Sequence, residues 1–195
     1  MTSSRLEYAI AFDLAASWLG GFRGACLGLV SNDQFGDELR TRGGSRLRIV
    51  RSAADLVASE RVYDAVVWAA PQADTWRRLV PRVATALRPG GALCILTATR
   101  VGGLVSPLRR ARLAGEPSAL VGPIAGALPR HGLQIRRVYP LGGLSSLAWA
   151  LAGRAALLVS RPDLADRAER AHHSALESRS AASFQLLLAE RASDG

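Results

Sequence analysis

Apolar and polar positions along this chain switch repeatedly between two periods. Near the N-terminus, Leu6, Ile10, Leu14 and Trp18 recur four apart, which predicts a helix with one apolar stripe packed on a sheet. Ser4-Arg5-Leu6-Glu7 fits a capping box at its start, and Gly20-Gly21 supplies its stop. A strand over residues 8–14, ending at Asp13, fits less well, because the same residues satisfy helical spacing better than alternation. Ala25 to Val30 is short and apolar, as an interior strand is, and Ser31-Asn32-Asp33 then caps a helix running from Gln34 to about Arg42. Gly43-Gly44 closes that helix. Arg46 to Val50 reads as another strand, with Leu47 and Ile49 on one face, and Ala53 to Ser59 as a short helix.

The most regular stretch is Arg61 to Arg100. Tyr63-Asp64 leads Ala65-Val66-Val67-Trp68 into a strand, and Trp76, Leu79, Val83 and Leu87 follow at helical spacing. Pro89-Gly90-Gly91 reads as the end of that helix, immediately before the buried strand Ala92-Leu93-Cys94-Ile95-Leu96. This is a parallel βαβ unit. Past Arg100, Val101 to Leu104 and Ser106-Pro107 make a loop, Pro117 to Leu128 is helical, and His131-Gly132 fits a helix terminus. Leu133 to Pro140 alternates apolar with polar residues, and Ser183 to Glu190 reads as a last strand. Strands alternating with helices through short Gly-marked connections indicate an α/β, doubly wound sheet.

Residues 141–182, between the last two strands, form an insertion far longer than a hairpin needs, with helical character. Its part from Leu144 to Val159 is the most apolar in the chain, but Arg154 interrupts it and leaves runs too short to span a bilayer core of about 30 Å. It reads as a lid, as a partner-binding surface or as an interfacial membrane helix, the last ranked third because basic residues are sparse along its face. Pro162 to Ser178 begins with Pro and is heavily charged, as a solvated helix would be.

Composition narrows the class. With 195 residues, 49% of them hydrophobic, the chain can bury a core as one domain, 1–195, without metal or disulfide. Cys26 and Cys94 lie inside apolar strands, as buried free thiols do, and no disulfide framework is expected. No secretory leader pattern opens the sequence, so a cytoplasmic location is expected. The formal charge is +9, and all 25 basic residues are Arg, which points first to genomic base composition. Arg77-Arg78, Arg109-Arg110-Arg112 and Arg136-Arg137 could still grip an anionic partner. The aromatics fall in apolar periodic segments rather than among these clusters, so nucleic acid is not the expected partner. No metal-ligand spacing is found among the three histidines and two cysteines.

The strand opened by Tyr63-Asp64, the helix, the Arg88-Pro89-Gly90-Gly91 run and the strand at Ala92 resemble the second half of the class I S-adenosylmethionine-dependent methyltransferases. The resemblance covers roughly residues 24–140 and 183–191 and implies a Rossmann-like methyltransferase sheet, mostly parallel with an antiparallel last strand, shortened in its N-terminal half. It further implies a Gly-rich turn after the first strand and an acid ending the second, which holds the cofactor ribose; glycine there lets backbone approach the ligand. If Ala25 to Val30 is the first strand, the turn offers only Gly36, and the second strand is followed by Arg51 where the family carries a carboxylate. If it is the second strand, Asn32 or Asp33 stands at the ribose position, Ser52 and Ala53 fall in the adenine-side loop, and the first strand is absent. Between them the two registers make Ser31, Asn32, Asp33, Ser52, Ala53 and Ala69 the candidate cofactor contacts. Gln72 and Asp74 lie in the loop where the family holds its methyl acceptor, although Asp74 before Trp76 reads first as a helix N-cap. No catalytic residue is assigned; methyl transfer needs chiefly proximity and orientation.

Three functional readings follow. The first is a methyltransferase-fold protein with a degenerate cofactor site and weak or no S-adenosylmethionine binding, serving as an accessory, assembly or regulatory subunit through its 141–160 apolar segment. The second is an active S-adenosylmethionine-dependent methyltransferase acting on a small-molecule or lipid-like acceptor. The third is an Arg-mediated RNA-binding protein.

Overall fold

The computed structural model describes residues 3–30, 33–43, 47–50, 62–98, 121–141 and 184–193, with isolated positions at 56, 152, 156, 160–161, 163–164, 166–168 and 170–171. In chain order the elements are α1 (Ser3–Trp18), β1 (Cys26–Val30), α2 (Asp33–Gly43), β2 (Leu47–Val50), β3 (Tyr63–Ala69), α3 (Trp76–Ala86), β4 (Leu87–Ala98), α4 (Val121–Ala127), a 3₁₀ turn (Leu128–His131), β5 (Leu133–Leu141) and β6 (Phe184–Arg191). The six strands form one sheet in the order β2-β1-β3-β4-β6-β5. β2, β1, β3 and β4 are parallel, while β6 runs antiparallel to both β4 and β5. This is the Rossmann-like methyltransferase architecture, with the antiparallel strand inserted next to the edge.

Strands covered on both faces must be apolar on both. All five residues of β1 are buried, and β3 is buried at every position but Asp64. One face of the sheet, through Cys26, Val30, Ala65, Val67, Cys94 and Leu96, packs on α1 and α2. The other, through Leu27, Leu29, Val66, Trp68, Leu93 and Ile95, packs on α3, Ile124 of α4 and Leu128 of the 3₁₀ turn.

α1 packs on the sheet, but not by the expected stripe. Ala11, Phe12 and Ala15 are fully buried, with Ile10, Leu14 and Trp18 only partly covered at the flank. The buried face is rotated away from the expected stripe, with Phe12 at its centre meeting Phe35 of α2 edge-on at 6.1 Å between ring centroids. Ser4 lies inside the helix, one residue past its start. The expected stop is made: Gly20, at φ 65°, donates to the Ser17 carbonyl at 3.3 Å and Gly21 to the Ala16 carbonyl at 2.7 Å, the bonding pattern of a Schellman motif. Arg42 ties the two helices on this face, reaching Asp13 of α1 at 2.6 Å and Glu38 of α2 at 2.9 Å.

Two further expectations change in the βαβ unit. Leu87 is not the last apolar residue of α3; its backbone is extended and it begins β4 opposite Tyr63. Pro89-Gly90-Gly91 is therefore not the helix stop but a bulge within β4, lying between the pairs Tyr63↔Leu87 and Ala65↔Ala92. The helix is closed instead by a residue distant in sequence. Arg191, at the end of β6, donates from Nη1 to the carbonyls of Ala84 at 3.0 Å, Thr85 at 3.3 Å and Leu87. A cation on the orphan carbonyls of a helix end satisfies both their hydrogen bonds and the helix dipole.

Alternation in β5 predicted a half-buried strand, yet Ile135 and Val138 are 37% and 49% exposed. β5 is the sheet edge, and the register shift between Ile135 and Arg137 turns both side chains to the α3 side of the sheet, opposite Ala189 and Leu187, where the edge position leaves them partly uncovered. Within the insertion, Ala152, Ala156, 163–164, 166–168 and 170–171 are helical, Ser160 and Arg161 form an exposed turn, and the rest of 142–183 falls outside the described residues. So do the expected loop at 101–107 and all but Leu56 of the expected helix at 53–59.

Arg191→Ala removes three acceptor contacts of a charged donor and should cost about 1.5–3 kcal/mol, lowering the midpoint of thermal unfolding by roughly 3–10 °C; Arg191→Lys should recover only part, as followed by circular dichroism melting.

Candidate functional site

In a doubly wound sheet, ligands bind at the carboxyl ends of two neighbouring strands whose crossovers leave in opposite directions. β1 leads through α2 to β2 on one side, and β3 leads through α3 to β4 on the other. The switch point thus lies between Val30 and Ala69, which pair across the two strands and are 2% and 0% exposed. β1 therefore stands beside the switch point, with β2 outside it. With β1 counted as the first strand the ribose-side position follows Val50, at Arg51; counted as the second, with the first absent, it falls at Asn32 or Asp33.

On the β1 side, only residues 31 and 32 separate Val30 from the start of α2 at Asp33. Ser31, Asn32, Ser52 and Ala53 lie outside the described residues, as does the side chain of Asp33. Two glycines flank the turn, and both face protein. A Cβ at Gly28 would come within 2.6 Å of Ile49 Cδ1 and 3.3 Å of Leu39 Cδ1, so this glycine seats α2 against the sheet. A Cβ at Gly36 would meet Ile49 Cγ2 at 3.4 Å and Val30 Cγ2 at 3.8 Å, an ordinary contact that again points at the sheet.

On the β3 side, Ala70 leaves the strand at φ 51° and donates its N–H to the Leu96 carbonyl at 2.9 Å. Such a left-handed alanine is uncommon and holds the loop in a set direction. Pro71 is buried and Gln72 half-buried. The Gln72 carbonyl accepts the Trp76 N–H at 3.2 Å, and its Oε1 accepts the Thr75 hydroxyl at 3.4 Å. Asp74 is exposed in the turn and is not the cap of α3; that position belongs to Thr75, whose own side chain makes no capping bond. The main chain of Gln72 has already begun the helix, so the carboxylate of Asp74 is left to solvent. Asp33, Ala69, Gln72 and Asp74 are thus brought to one end of the sheet.

Asp64 is at the opposite end of β3. Its Oδ2 accepts the Ala25 N–H at 2.5 Å, its own N–H donates to the Ala25 carbonyl at 2.8 Å, and its Oδ1 pairs with Arg88 at 2.5 Å. The aromatic-Asp signature that opens the strand is therefore a clip that sets the entry of β1 beside β3. Sequence reading took it as the polar entry of the strand and as part of the family resemblance but not as a clip, because its partners are 24 and 39 positions away.

Both cysteine thiols are harder to ionise than a free thiol. Burial, with a smaller push from Asp64, raises the Cys26 thiol to about 11, and burial alone drives Cys94 upward. Among the described residues no three His, Cys, Asp or Glu side chains group as metal ligands, and no helix is long and apolar enough to cross a membrane.

No protein-family profile matches the sequence, and no curated protein matches it. Solved structures do match in fold. A protein assigned as a sarcosine dimethylglycine methyltransferase from Galdieria sulphuraria superposes with a TM-score of 0.55 at 11% identity, covering 94% of this chain and 85% of that one. A geranyl diphosphate methyltransferase in complex with S-adenosylmethionine gives 0.53 at 13% identity, over 92% and 85%. The [4+2]-cyclase SpnF gives 0.54 at 17% identity, over 95% and 81%. The chain has the fold of S-adenosylmethionine-dependent methyltransferases, and at these identities the likeness speaks for the fold alone. That one of the three is described as a cyclase shows that the reaction is set by the site and not by the sheet.

Asp64→Ala should destabilise the fold by about 2–3 kcal/mol, whereas Arg88→Ala should cost less than about 1 kcal/mol, because the main-chain bond to the carboxylate is lost only in the first; urea unfolding of both variants measures the difference. The thiols give a pH dependence of definite sign. An unfolded thiol ionises near 9.0 and folded Cys26 near 11, so the contribution is complete below pH 9 and is lost as pH rises towards 11. The urea midpoint should therefore fall between pH 8 and about pH 10.5, and fall less in Cys26→Ala.

Proposed function

We propose that this chain is a methyltransferase-fold protein whose S-adenosylmethionine site is degenerate, and that it serves as a non-catalytic accessory or regulatory subunit. The observation that carries this reading is the placement of its glycines at the switch point. Gly28 and Gly36 both face side chains of the sheet and helix, and the connection from Val30 to Asp33 contains no glycine. A nucleoside needs bare main chain at that turn, so the residues present do not fit it. The position after β2 is Arg51, a cation where a ribose needs an acceptor. Two or three buried groups left without partners, at about 1–3 kcal/mol each, lower affinity by several powers of ten. The apolar part of the insertion, residues 141–160, is the surface such a subunit would offer to a protein partner.

The second reading, an active methyltransferase for a small or lipid-like acceptor, is favoured by one feature: β1 and β3 retain the diverging crossovers that open the crevice. One measurement separates the two. Thermal unfolding in 1 mM S-adenosylmethionine or S-adenosylhomocysteine should leave the midpoint unchanged. A ligand at 100 times its Kd would stabilise by about 2.7 kcal/mol, roughly 5–10 °C, and a rise of that size would replace the first reading with the second.

A further inference from the structure

The two helical faces of the sheet carry charge in different ways. On the α1–α2 face, arginine is neutralised locally: Arg42 pairs with Asp13 and Glu38, and Arg40 pairs with Asp37 at 3.0 Å. On the α3 face it is not. α3 reads WRRLVPRVATA and contains no acid, and Arg77, Arg78 and Arg82 are all exposed. Arg130, in the 3₁₀ turn that packs beside α3, is exposed as well. None of these four makes an ion pair with a described residue. Arg78 and Arg82 stand four apart on one side of the helix, a like-charge pair that disfavours the isolated helix and is relieved by an anion. Arg77 lies over the Trp76 ring, 5.2 Å from its centroid, which holds the guanidinium in place.

The row has a direction. α3 begins beyond the carboxyl end of β3, at the rim of the switch-point crevice, and ends where β4 starts; the 3₁₀ turn leads into β5 at that same far end. Eleven helical residues span about 16 Å. The cations thus run from the crevice rim along the outer face of the sheet.

We infer that this face binds the phosphate backbone of a nucleic acid through Arg77, Arg78, Arg82 and Arg130, without reading its bases. Guanidinium forks match phosphate oxygens bidentately. None of the large exposed apolar residues among those described, Val62, Ile135, Val138 and Leu164, belongs to α3 or to the 3₁₀ turn, so the two elements that carry these arginines offer no large apolar anchor for a protein interface or for membrane insertion. It also lacks an exposed aromatic for base stacking, since Trp76 is buried. The basic clusters read as scattered in the sequence; folding pairs part of the arginine on one face and leaves this row without an ion-pair partner among the described residues on the other.

Fluorescence anisotropy with labelled RNA and DNA duplexes of about 20 base pairs, titrated with the intact chain from about 50 to 200 mM salt, tests the inference. Binding to one or both duplexes should weaken steeply with salt. Arg78→Gln/Arg82→Gln should weaken it about tenfold or more at low salt and reduce the log–log salt slope by about 2, and Arg130→Gln alone by about 1. Arg40→Gln/Arg161→Gln is the control: it removes the same charge from arginines already paired with Asp37 and Asp163, and should leave the slope unchanged. Absence of binding to either duplex at low salt overturns the inference, as does an equal loss in the control, which would make net charge alone responsible. Binding to phosphatidylserine vesicles without binding to either duplex also overturns it and assigns the face to an anionic membrane.

Discussion

The parallel pairing of β1 with β3, from Cys26↔Ala65 to Val30↔Ala69, is the constraint on which the rest of the structure depends. Both strands are sandwiched between helical layers, so neither face tolerates an unpaired polar group. The exception is Asp64, placed where the pair begins, and its carboxylate and main chain both bond Ala25. A slip of one residue would break those bonds and exchange the side chains that face α1 and α2 for those that face α3. With the register held, α2 and α3 leave in opposite directions, and the crevice between Val30 and Ala69 is a consequence of the topology.

Close packing sets the character of that crevice. α1 approaches the sheet through Ala11 and Ala15, and α2 through Gly28 and Gly36, so the smallest residues of this half lie between helix and strand. Glycine that admits a helix cannot also present bare backbone to a ligand. The glycines nearest the switch point among the described residues are therefore spent on seating α2 against the sheet.

Arginine, the chain's one strong cation, takes several structural roles. Arg191 closes α3 from across the sheet, Arg42 ties α1 to α2, and Arg88 steadies Asp64. Those that remain on the outer side of α3 have no such task within the described residues. Among the described residues, charge paired on one face and unpaired on the other is a polarity that composition alone does not carry.

Much of this was legible in the sequence. The period-two and period-four patterns located each strand and most helices, and Gly20-Gly21 marked a stop that the structure makes, because strand burial, helical spacing and left-handed turns are local properties. The doubly wound class and its antiparallel last strand followed from element order and the family resemblance. Errors arose where a distant residue decided the outcome. Leu87 extends the helical spacing of α3 but is drawn into β4 by Tyr63, and Pro89-Gly90-Gly91 becomes a bulge because Ala92 must meet Ala65. Asp74 lost the cap when the Gln72 carbonyl took the first helical bond. Of the candidate site, the sequence by itself determined which residue types were available: no glycine between Val30 and Asp33, and Arg51 after the second strand. Only the tertiary structure decided that β1 lies beside β3 at the switch point, that Gly28 and Gly36 face the core, and that α3 and the 3₁₀ turn bring together four exposed arginines with no ion-pair partner among the described residues. Those outcomes depend on pairing across dozens of residues, and no local pattern encodes which strand will lie beside which.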